Sequence, residues 1–228
     1  MFNLSKSLLY KRQVLIRKAF AELIGTCFLV MVVVGSGIMA ENLSSDNLNI
    51  LIANTLATGA GLTALIWIFI NVSGAHFNPA VSLIMFFKKE LNFSELSSYI
   101  SFQFLGGFIG VVLANLMFGL DALSFSQKDR GGLGIYLGEF IATFGLLITI
   151  LGVREFNKLA IAPAVGLYIT AGYWFTSSTS FANPAVTLSR MFTDTFTGIS
   201  NEFVAPFILF QLIGAITAML FMRFINNK

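Results

Sequence analysis

Long apolar runs separated by short polar turns organise the 228-residue chain. Six of these runs, at roughly 19–40, 50–71, 96–118, 135–152, 159–176 and 203–225, approach the ~20 apolar residues a helix needs to cross a bilayer. Two further apolar stretches are too short to cross. They begin at Asn78-Pro79-Ala80 and Asn183-Pro184-Ala185 and continue as Val81-Ser82-Leu83 and Val186-Thr187-Leu188. Proline is favoured in the first helical turn, where its missing N–H is not needed, and an Asn just before it serves as N-cap. Each tripeptide therefore predicts a helix start. With an apolar tail of about ten residues, half the crossing length, each predicts a re-entrant half-helix.

The two short stretches belong to an internal repeat. Glu22 and Thr26 in the first run match Glu139 and Thr143 in the fourth, and Phe102-Gln103 with Gly106 in the third matches Phe210-Gln211 with Gly214 in the sixth. Each half reads Glu-x-x-x-Thr, then Asn-Pro-Ala, then Gln-x-x-Gly. Three spans per half is an odd number, so the second copy enters the membrane from the opposite face, an inverted repeat over approximately 19–118 and 135–225 within one domain, 1–228. The half-helices then meet at mid-membrane. Non-helical backbone is tolerated there only when buried in protein or lining a water-filled cavity, so the pattern predicts a lumen.

Composition agrees with a membrane solvent: 56% of residues are hydrophobic and 11% charged, against about 25% charged in soluble domains. Eleven of the 14 Lys and Arg residues (Lys6, Lys11, Arg12, Arg17, Lys18, Lys88, Lys89, Arg154, Lys158, Arg223 and Lys228) fall on one side if both termini are cytoplasmic. Lys128, Arg130 and Arg190 fall on the other, which is the positive-inside arrangement. A multi-pass protein of the plasma or inner membrane, surrounded by lipid, is the expected setting. The basic start resembles a signal peptide, but its run is too long, contains Glu22 and lacks an Ala-x-Ala site. Cys27 has no partner for a disulfide. Nothing interleaves bases with aromatics as a nucleic-acid surface would, and no nucleophile, metal-ligand or nucleotide motif supports an enzyme or a cofactor.

The two Asn-Pro-Ala boxes, the Ser73-Gly74-Ala75-His76-Phe77 lead-in and the paired Glu-x-x-x-Thr motifs resemble the aquaporin, or major intrinsic protein, family over 19–225. The resemblance implies an all-α right-handed bundle of six transmembrane helices plus two re-entrant half-helices, assembled as a homotetramer with one pore per subunit. Both half-helix N-termini then aim their positive dipole ends at mid-membrane and repel cations and protons. Asn78 and Asn183 either donate amide N–H groups to a passing solute oxygen, or cap their helices, or do both. Buried carboxylates in a membrane are functional candidates. Glu22 and Glu139 read as a relay or solute site from chemistry alone, and as acceptors for re-entrant loop N–H groups from the resemblance. His76 reads as a pH gate or as a loop anchor.

Most family members carry an Arg directly after the second box, where this chain has Val186. Spacing from the motifs places the other filter residues at Thr58, Ala171 (with Gly172 as the alternative) and Ser180. A small, uncharged set predicts a permissive channel for water and neutral solutes such as glycerol, urea or arsenous acid. Arg190 lies one turn beyond Val186, about 6 Å along the axis. It either restores a cationic ring, giving a water-selective channel, or snorkels to the interface or pairs with Asp194. A secondary transporter shares the inverted repeat and broken helices, but its ion-coupling cluster is missing. A closed junctional protein would need bulky residues at the constriction.

Overall fold

The computed structural model describes residues 2–226, with side chains from Arg12 onward. Lys6, Lys11 and Lys228 of the charge count lie outside the described side chains. The long helices are α1 (Phe2–Leu43), α2 (Asn47–Phe69), α4 (Phe93–Met117), α5 (Leu133–Val153), α6 (Ile161–Phe175) and α8 (Asn201–Ile225), with short helices α3 (Pro79–Phe87) and α7 (Pro184–Ser189) between them. Five of the long helices are long and apolar enough to cross a membrane. The fifth run is shorter than expected: a 3-10 turn, Lys158–Ala160, precedes the 15 residues of α6, about 22 Å.

Local chemistry sets the helix ends. Asp46 caps α2 through Leu48 N–H, and Asn92 with Glu95 forms a reciprocal capping box on α4. Asn78 and Asn183 cap α3 and α7, each with Pro at the first helical position, as the tripeptides predict.

Packing follows the repeat. α1 lies on α4 and α5 lies on α8. Gly106 of α4 sits against the Leu23 carbonyl, one residue past Glu22, and Gly214 of α8 sits against the Phe140 carbonyl, one residue past Glu139. A Cβ at either glycine would collide with backbone. Without a hydrophobic drive between helices in lipid, close backbone approach through small residues is a main source of helix association. Gly25 has a further role, because the ring of Phe77 occupies the space a side chain there would need.

Candidate pore and its constrictions

Both segments that enter the membrane carry the same strain at the same positions. Ala75 and Phe77, three and one residues before Asn78, have φ of 53° and 48°; Ser180 and Ala182, three and one before Asn183, have φ of 52° and 49°. Left-handed backbone at such residues costs about 1–3 kcal/mol each, so something must hold it. Two buried carboxylates do. Glu22 accepts from His76 N at 3.0 Å, Phe77 N at 2.6 Å, the Ser73 hydroxyl and Gln103 Nε2. Glu139 accepts from Phe181 N and Ala182 N, both at 2.9 Å, and from Gln211 Nε2. Gln103 and Gln211 also donate to Ser82 and Thr187 of the half-helices, so each glutamine ties a span, a loop and a half-helix together.

The half-helices are joined tip to tip. Asn78 Oδ1 accepts Ala80 N–H and its Nδ2 donates to the Ala182 carbonyl at 2.7 Å; Asn183 Oδ1 accepts Ala185 N–H and its Nδ2 donates to the Phe77 carbonyl at 2.8 Å. An amide nitrogen carries two protons, and both side chains line the central cavity. One N–H of each thus locks the two halves together while the other remains for the lumen.

The cavity, about 450 Å3, runs past these tips from Lys18 and Arg154 at one mouth to Arg190 at the other. Its wall is aliphatic over much of its length, with Leu29, Val33, Leu62, Val81, Val165 and Ile169. His76 borders it toward the Lys18 mouth, with Nδ1 3.0 Å from the Ser82 hydroxyl and its ring edge-on to Tyr99.

Thr58, Ser180 and Val186 line the lumen, but Ala171 does not. Ala171 is exposed on the outside of α6, and its alternative Gly172 packs against the Ser180 side chain. Tyr173 takes the place expected of Ala171. Ile161, Val165, Ile169 and Tyr173, four residues apart, all border the cavity. Ala171 is two residues from Ile169 and from Tyr173, hence about 200° around the helix. That four-residue spacing is visible in the sequence and points to Tyr173, whereas the distance from Asn183 points to Ala171.

Arg190 also departs from one expectation. It neither snorkels nor pairs with Asp194, whose carboxylate accepts Gln127 N–H. The guanidinium is buried at the lumen wall, donates through Nε to the Thr197 carbonyl and lies 3.3 Å from the Phe181 ring centroid. Beside it sits Arg130, from the segment between α4 and α5, which sequence reading placed only in the charge count. Arg130 donates to the Gly198 and Phe196 carbonyls and stacks on the same ring at 4.9 Å. Burial lowers its pKa to about 10, so it remains charged near neutrality.

A helical bundle with two half-helices meeting tip to tip around a continuous cavity defines an all-α membrane channel of the aquaporin fold. The family model described as major intrinsic protein matches residues 9–160, and the chain belongs to that family. It is 48% identical to the aquaglyceroporin AqpS of Rhizobium meliloti, over 92% of this chain and 91% of that one. It is 31% identical to aquaporin NIP1-1 of Arabidopsis thaliana, over 68% of this chain and 54% of that one. The X-ray structure of the aquaglyceroporin from Plasmodium falciparum superposes with a TM-score of 0.74, covering 91% of this chain and 95% of that one at 24% identity, which shows the shared fold. The chain is therefore a multi-pass membrane channel for small neutral solutes, and not an enzyme.

Proposed function

We propose that this channel passively conducts water together with glycerol- and urea-sized neutral solutes, and undissociated metalloid hydroxides such as arsenous acid, while excluding protons and ions. One observation carries this reading: three hydroxyls, those of Thr58, Tyr173 and Ser180, and the aliphatic Val186 line the lumen near the second half-helix. Hydroxyls exchange hydrogen bonds with a polyhydroxy solute as readily as with water, and Val186 contacts its carbon face. The similarity to an aquaglyceroporin over nearly the whole chain supports it. Exclusion of cations follows from the two half-helix N-termini and from Arg190. On this reading the domain is a single unit, 1–228, in the plasma or inner membrane with both termini cytoplasmic, and four copies assemble as a homotetramer.

Stopped-flow swelling of proteoliposomes with water, glycerol, urea and arsenous acid tests the proposal. The expected result is gradient-driven, non-saturating flux of all four with a low activation energy; saturation and response to an ion gradient would indicate a transporter instead. A second reading is favoured by the burial of Arg190 in the lumen wall. There the guanidinium replaces the arginine missing at Val186 and restricts the channel to water. Water flux without glycerol flux in the same assay would establish that reading.

A further inference from the structure

At the Arg190 end of the lumen, Arg190 borders the cavity and Arg130 packs on the same Phe181 ring, and neither is in an ion pair with a described residue. Arg190 is 2% exposed and Arg130 is 9% exposed, and both stack on Phe181. The ion pairs Lys18–Glu95 and Arg154–Glu90 involve neither of these two arginines. Neighbouring carboxylates accept backbone N–H groups, Glu139 from Phe181 and Ala182, Glu41 from Phe196, Asp194 from Gln127 and Asp129 from Gly131, and Glu139 acts on the two arginines only at a distance. A buried charge outside an ion pair is costly, so such a pair of cations is a place where an anion gains more than it would in water.

The donors are arranged to meet one. Arg190 uses Nε on Thr197, while its two Nη groups hydrogen-bond to no described residue and its side chain borders the cavity. Ser180 is 3% exposed, lines the same cavity, and its hydroxyl has no hydrogen-bond partner. A planar guanidinium edge matches two oxygens of a planar oxyanion, a geometry that an ammonium does not offer.

We propose that this end of the lumen is a binding site for a small planar monovalent oxyanion of the nitrate class, which docks on the Nη edge of Arg190 with the Ser180 hydroxyl as a further donor and thereby obstructs the passage of neutral solutes. The inference rests on the reading that Arg190 borders the permeation path. A divalent anion is disfavoured because the site is desolvated and Glu139 lies behind the Phe181–Ala182 backbone. Passage through the channel is disfavoured as well: apart from the Asn78 and Asn183 amides, much of the lumen wall is aliphatic, with Leu29, Val33, Val165 and Ile169, and offers little to replace the anion's water.

The test uses the full-length channel in proteoliposomes, with glycerol swelling followed by stopped flow in sodium nitrate or sodium gluconate on both sides at equal osmolarity. The expected result is a glycerol rate in 100 mM nitrate about tenfold below that in gluconate, as for a fully obstructing site of roughly 10 mM affinity. Each variant is normalised to its own rate in gluconate. Arg190→Met should abolish the nitrate dependence, Arg190→Lys should weaken it by removing the planar edge, and Ser180→Ala should raise the half-inhibiting concentration. Equal rates in nitrate and gluconate, with glycerol flux present, would overturn the anion site and leave the channel reading intact. Full nitrate dependence in Arg190→Met would overturn it too. Absence of glycerol flux in gluconate would instead remove the permeation path on which both readings stand.

Discussion

The hydroxyls of Tyr173 and Thr58 meet at 3.2 Å on the lumen wall, joining α6 to α2 at the constriction. An aromatic ring therefore stands where spacing from the second Asn-Pro-Ala box pointed to a small side chain. Tyr173→Ala should widen this point and raise the ratio of glycerol to water flux several-fold, read by stopped-flow swelling. Ala171→Leu, on the outer face of the same helix, should leave the ratio unchanged. A shift caused by Ala171→Leu and absent from Tyr173→Ala would mean that the face is assigned wrongly.

Val186 borders the lumen three residues after Asn183. Introducing a long cation there should narrow a wall that Arg190 already borders from one turn away. Val186→Arg is expected to reduce glycerol flux more than water flux. Equal loss of both would show that this position does not set the size limit.

The two membrane-embedded glutamates hold strained backbone. Glu139→Gln replaces one acceptor oxygen with an NH2 group, leaving a buried donor without an acceptor at a cost of about 1–3 kcal/mol. The thermal midpoint of the detergent-solubilised protein should fall, and Glu22→Gln should lower it similarly because the network is repeated in the first half. An unchanged midpoint with altered proton leakage would favour the relay reading.

Much of this architecture is legible in the sequence because its causes are local. An Asn-Pro pair opening a short apolar stretch is enough to predict α3 and α7, and a carboxylate inside an apolar run marks Glu22 and Glu139 wherever the chain folds. Residues whose orientation depends on distant backbone are different. Arg190 is turned inward by the Thr197 carbonyl and the Phe181 ring, and Arg130 is brought to the same ring by the carbonyls of Phe196 and Gly198. No spacing rule links these segments. Tyr173 is intermediate: its helical face is readable, but counting back from Asn183 gives a residue on the wrong side of α6.

Gly106 offers a test of packing. Gly106→Ala places a Cβ against the Leu23 backbone and should lower the yield of folded protein and its thermal midpoint. Gly134→Ala, where a Cβ meets nothing within 4 Å, should be neutral or slightly stabilising. Equal effects from both would argue that the α1–α4 contact is not set by close backbone approach.

The most direct test of the channel as a permissive conduit is the glycerol permeability of proteoliposomes containing the purified wild-type protein, measured by stopped-flow light scattering against protein-free vesicles. A glycerol rate well above that of the empty vesicles, rising linearly with the gradient, is the predicted result. Rapid water flux with glycerol permeability no greater than that of bare lipid would contradict it.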